Sequence, residues 1–136
     1  MGQQQLLLIV LGVIIVGIAV VVGINVFTAS SMNSNRDAVI ADLTTLAAMA
    51  QQHYRKPAAM GGGQNAFDAT NGGTAWTVPA SLQQTANMSA AVGATVGAQT
   101  VTLIGTGTED GTNGTSAVQV TMVVGKNAIT STTIDN

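Results

Sequence analysis

The chain holds one histidine, His53, in the run HYRK, and six carboxylates spread over 136 residues. A general base needs a nucleophile or acid within hydrogen-bond reach, and nothing of that kind is placed near His53 in sequence, so an ordinary helix-face or packing role is expected. MGGGQN, from Met60, lacks the lysine and the strand–loop–helix setting of a phosphate loop and reads as a flexible connector. EDGTNG puts Glu109, Asp110 and Asn113 on one turn without the ligand spacing of a calcium loop, so a plain hairpin turn is favoured over a weak calcium site. NMS at Asn87 and NGT at Asn113 fit the N-glycosylation triplet and mark both as possible sugar sites. There is no cysteine, which excludes disulfides, thiolate metal sites, a cysteine nucleophile and a lipidated-cysteine anchor. Four aromatic residues, Phe27, Tyr54, Phe67 and Trp76, are too few for a continuous electron-carrying path. Phe67 and Trp76 are expected to pack under a crossing loop. The expectation is a chain with no catalytic residue, no metal, no cofactor and no enzymatic activity.

Composition points elsewhere. Only 7% of residues are charged, with four Lys/Arg against six Asp/Glu, so no basic surface exists to neutralise a phosphate backbone and general nucleic-acid binding is not expected. The opening MGQQQLLLIVLGVIIVGIAVVVGIN contains 19 residues, Leu6 to Ile24, with nothing polar. As a helix this run is about 28 Å long, close to the roughly 30 Å hydrocarbon thickness of a bilayer. It exceeds the usual apolar core of a cleavable secretory signal. The first basic residue is Arg36, beyond the run, whereas orientation in a membrane is set by Lys/Arg on the cytoplasmic side. That arrangement predicts a short basic leader cut at or very near Met1.

From Asn25 to Lys56 there is neither proline nor glycine, and Pro57 is the first firm break. Ser30, Ser31, Asn33, Ser34 and Asn35 compete for backbone hydrogen bonds, which predicts a bend or loosened turn there. Val39, Leu43, Leu46, Ala50 and His53 or Tyr54 then recur at helical spacing, with Ile40 and Ala47 beside them, and define a core-facing stripe. A single helix through both halves would be about 80 Å long, so its apolar half is expected to project. Residues 57–75 read as a loop. WTVP around Trp76, QTVTLIG from Gln99, SAVQVTMVVG from Ser116 and AITSTTI from Ala128 read as strands, with GTGTEDGTNGT and GKN as turns. The expected fold is α+β: residues 1–28 an apolar helix, and residues 29–136 a head. In the head, a helix to about 56 packs on a small antiparallel sheet of three or four strands spanning about 76–136.

An apolar helical start, an amphipathic helical half, a crossing loop and a small antiparallel sheet together resemble a type IV pilin or a type II secretion pseudopilin. The likeness is architectural over the whole chain and rests in sequence on MGQQQLLLIVLGVIIVGIAVVVGINVF. It implies leader removal and N-terminal methylation by a membrane peptidase, storage in the inner membrane, and assembly into a homopolymeric cell-surface filament by bundling of N-terminal helices. An assembly platform and a motor ATPase are implied as partners, with membrane lipid before assembly.

The likeness is not complete. Gln5 stands where the family usually has a glutamate that offsets the N-terminal ammonium of a neighbouring subunit. A neutral cluster of Gln3, Gln4 and Gln5 around the Met1 amine is expected to take that role, because burying an uncompensated charge is costly. The family's late helix proline is absent, as is its C-terminal disulfide. Leu6, Leu7, Ile9, Val10, Leu11, Ile14, Ile15, Ile18, Val21 and Val22 are expected to pack the filament core, and Val39, Leu43, Leu46, Ala50 and Tyr54 to join helix to sheet. A pilus subunit is the leading reading. A secretion pseudopilin and a non-polymerising membrane-anchored binding domain stay open beside it.

Overall fold

Nothing in residues 24–56 stops a helix, and in the computed structural model α1 runs without interruption from Gly2 to Arg55. The structure describes residues 2–88 and 93–135. The loosened turn expected at Ser30–Asn35 does not interrupt α1. Asn35 within that stretch, and threonines elsewhere on α1, find partners that spare the helical ladder. Thr28, Thr44 and Thr45 each donate to the carbonyl four residues back, and Asn35 sends its side chain to a distant strand.

By contact density the chain divides into two units, Met1–Ser31 and Met32–Asn136. The described part of the first is helix alone. Among the described residues, the second joins the rest of α1 to four strands: β1 (Gly93–Val96), β2 (Thr100–Asp110), β3 (Ala117–Gly125) and β4 (Ile129–Asp135). They form an antiparallel meander in the order β1-β2-β3-β4. Successive side chains of a strand point to opposite faces, and Val101 and Leu103 of β2 alternate inward with Val118, Val120, Met122 and Val124 of β3. Against this face lie Val39, Leu43, Leu46, Ala47, Ala50 and Tyr54 of α1. Each fully buried Val, Leu or Met side chain contributes about 1.5–3 kcal/mol, and the core contains no charged or polar residue among those described.

Close approach of helix to sheet depends on Gly105. A Cβ there would lie 3.0 Å from Val39 Cγ1 and Met88 Sδ and 3.3 Å from Leu43 Cδ1, so these side chains would have to give way to it. Phe67, Trp76, Val78 and Met88, from the segment between α1 and β1, complete the core.

Three sequence expectations need correction. WTVP is not a strand. Trp76 and Val78 do alternate inward, but Trp76 is tied by its N–H to the Phe67 carbonyl at 2.7 Å and lies in no ladder among the described residues, and Pro79 has no N–H to extend one. The first strand is instead Gly93–Val96. Second, GTGTED belongs to β2, which continues to Asp110 and leaves only residues 111–116 as the turn. Third, the glycine-rich loop is a built cap rather than a flexible connector. The N–H groups of Gly63, Gln64 and Asn65 donate to the carbonyls of His53, Lys56 and Tyr54 at 2.9, 3.1 and 2.8 Å, satisfying acceptors that a helix end leaves unpaired. Gln64 and Asn65 hold positive φ of 52° and 64° to do so, and a Cβ on Gly62 or Gly63 would overlap the carbonyl oxygen of Lys56 or Ala66.

Candidate functional site

Between Gln5 and Thr28 of α1 only Asn25 carries a polar side chain. The large apolar residues there are between half and three quarters exposed, from Val10 and Ile14 at 52% to Phe27 at 75%. Their branched side chains form ridges. Gln3, Leu6, Leu7 and Val10, at i, i+3, i+4 and i+7, border an open apolar groove of about 380 Å³ of the kind that receives a neighbouring helix's ridge. Leu6, Leu7, Ile9, Val10, Leu11, Ile14, Ile15, Ile18, Val21 and Val22 all lie on this exposed cylinder. Gln5 is likewise exposed on the second turn; Met1 lies outside the described residues. The helix is long and apolar enough to cross a membrane.

Three titratable groups of the head, His53, Tyr54 and Asp42, take structural roles. The Nε2 of His53 lies 2.7 Å from the Thr74 carbonyl oxygen; since a carbonyl only accepts, Nε2 carries the proton and donates. This bond ties α1 to the crossing segment beside an open cleft of about 540 Å³ bordered by Met49, Gln52, Lys56 and Thr74–Thr77. Tyr54 is buried, with its ring 4.9 Å from that of Phe67 and its hydroxyl donating to Gln99 Oε1 at 3.2 Å. Asp42 Oδ2 accepts from the Thr85 hydroxyl at 2.7 Å and from Asn87 Nδ2 at 3.3 Å, pinning the segment before β1 to the helix. Among the described residues no group of three or more His, Cys, Asp or Glu comes together.

The two glycosylation triplets sit in different settings. Asn87 is half-buried and its amide is engaged by Asp42; Ser89 of its triplet lies outside the described residues. Asn113 is exposed at the β2–β3 turn, where its Oδ1 accepts from the N–H groups of Thr115 and Ser116, both at 3.0 Å. That turn is closed by protein groups of its own.

Asn35 is the polar residue whose role sequence reasoning missed. Its Nδ2 donates to the Asn87 carbonyl and the Thr108 hydroxyl, both at 3.0 Å, and its Oδ1 accepts from the N–H of Thr108 at 3.1 Å and of Glu109 at 3.4 Å. No spacing rule points across 73 residues; the one available signal was a helix-unfavourable Asn just ahead of the core stripe. No protein-family model, no curated protein and no solved structure matches the chain.

Proposed function

We propose that this chain is the structural subunit of a type IV pilus-like helical filament at the cell surface, stored in a membrane before assembly and without enzymatic activity. The observation that carries the reading is one uninterrupted helix with two unlike stretches. Val39, Leu43, Leu46, Ala47, Ala50 and Tyr54 are buried in the head's core, while the large apolar side chains from Leu6 to Phe27 are exposed. An apolar cylinder about 30 Å long cannot remain in water. Lipid satisfies it as a monomer, and copies of itself satisfy it in a polymer.

Transfer from lipid into a bundle brings little net hydrophobic gain, so close packing of side chains must favour the polymer. The β-branched residues of the run supply stiff ridges for that packing. An assembly platform, a motor ATPase and a leader peptidase are the partners such a filament would require. The test is electron microscopy of the purified full chain after detergent removal. Helical filaments with a core of parallel helices are expected, and a monodisperse detergent-bound monomer under all assembly conditions would refute the reading.

A further inference from the structure

The head carries its charge in two opposed clusters. Asn35 ties the N-terminal part of the head's helix to the far end of β2 through the N–H groups of Thr108 and Glu109. Asp37, Glu109 and Asp110 therefore gather at one end. Asp135 joins them, since it pairs with Gln119 of β3, which pairs in turn with Thr106 of β2. At the opposite end Gln51 Nε2 donates to the Gly125 carbonyl at 3.2 Å, which sets the β3–β4 turn and its Lys126 beside the helix end that bears Arg55 and Lys56. Asp37 and Arg55 are separated by about 27 Å along α1. The first end holds four carboxylates and one guanidinium, Arg36; the second holds three of the four Lys/Arg and one carboxylate, Asp68, whose neighbour Phe67 donates its N–H to Ala98 beside the Thr100–Gly125 pair. Apart from the half-buried Arg36 and Asp68, these groups are exposed, and no ion pair forms among the described residues.

We infer that the basic end of one head docks on the acidic end of the next copy of this chain, a contact that rests on the filament reading above. Subunits related by a screw operation share one polarity, so an axial contact between successive heads joins unlike ends, a heterologous interface that propagates without closing. Here the unlike ends carry opposite charge. In a surface with only ten charged residues among 136, this segregation sets the register between heads and disfavours antiparallel pairing, which would oppose like charges. The docked charges are partly shielded from salt, whereas unpaired ones are screened beyond about 8–10 Å.

The experiment uses the full chain with assembly followed by pelleting and electron microscopy at low and high salt. Arg55→Glu/Lys56→Glu/Lys126→Glu is expected to lower the assembled fraction at least about tenfold, as is Asp37→Lys/Glu109→Lys/Asp110→Lys. Both sets in one chain, which exchanges the two ends, are expected to restore assembly. Head melting temperature is measured for each variant to separate docking from folding. In wild-type filaments a carbodiimide should join Lys56 or Lys126 to Glu109 or Asp110 of another copy, identified by mixing isotope-labelled and unlabelled chains. Wild-type filaments without such crosslinks, or folded triple variants that assemble as the wild type does, overturn the docking while leaving the filament reading intact. A wild-type chain that never assembles overturns both.

Discussion

Asn35 and Thr108 are joined twice. The Asn35 Oδ1 accepts the Thr108 backbone N–H at 3.1 Å, and its Nδ2 donates to the Thr108 hydroxyl at 3.0 Å. The pairing of β2 with β3 shifts register between Thr106 and Asp110, so the N–H groups of Thr108 and Glu109 turn to the helix. One side chain closes the sheet's irregular end. Asn35→Ala should therefore destabilise the head by about 1–3 kcal/mol, the cost of leaving such groups unsatisfied. Urea unfolding followed by tryptophan fluorescence reads this directly through Trp76, and an unchanged midpoint would show that water replaces the amide freely.

Helix–sheet distance is set at Gly105. Val39 Cγ1 and Met88 Sδ would each lie 3.0 Å from a Cβ at that position, and β-branched Val39 has little rotamer freedom to retreat. Gly105→Val should cost about 1–3 kcal/mol by overpacking. Ser131→Val, on the exposed edge strand β4, should fall within about 0.5 kcal/mol of wild type. Equal losses in the two variants would argue against close approach as the cause.

What could be read from the sequence, and what could not, follows the range of the interaction involved. Val39, Leu43, Leu46, Ala50 and Tyr54 announce themselves by helical spacing, and all are buried. The apolar run is legible for the same reason, since hydropathy is a local property. WTVP misled because alternation reports burial on one side but not the presence of a paired neighbour. Gly93–Val96 escaped because GATV is short and begins with glycine, and its strand state comes from pairing with residues 101–104. MGGGQN was legible as a turn-rich segment. Its role as a helix cap depends on left-handed backbone at Gln64 and Asn65, a conformation that composition permits but does not specify. Charge segregation was hidden for a further reason: Asp37, Glu109 and Asp135 become neighbours only through the strand register and the Asn35 bridge.

Acid should act on Asp68 late. Hydrogen bonds from Thr70, first from its side chain and then from its backbone, hold the Asp68 carboxyl below its ordinary value of 3.8. The Thr70 N–H lies 3.0 Å from Oδ1. A carboxyl depressed in the folded state contributes stability above its unfolded pKa and loses it as pH falls through the folded one. The contribution of Asp68 is accordingly complete above about pH 4 and fades only in stronger acid. Carboxyl resonances followed by NMR should place its midpoint below 3.8, and Thr70→Val should raise it. A wild-type midpoint at or above the ordinary value would contradict the hydrogen-bonded geometry.

Ile14 and Ile18 stand one turn apart near the middle of the apolar run, 52% and 60% exposed on α1. A lysine or glutamate at either would place a charge where the proposed bundle excludes water. Near an apolar centre the penalty is about 2.5–3.5 kcal/mol even with snorkelling, and in a polymer every subunit bears it. Ile14→Lys and Ile18→Glu should therefore abolish filaments. Neither touches the core formed by residues 39–124, so head unfolding in detergent should keep its wild-type midpoint. Ile14→Val, which preserves a branched apolar ridge, should assemble at near wild-type yield. Lysine-bearing chains that assemble normally would mean that this face is not in the core, whereas loss of both assembly and head stability would trace the defect to folding instead of packing.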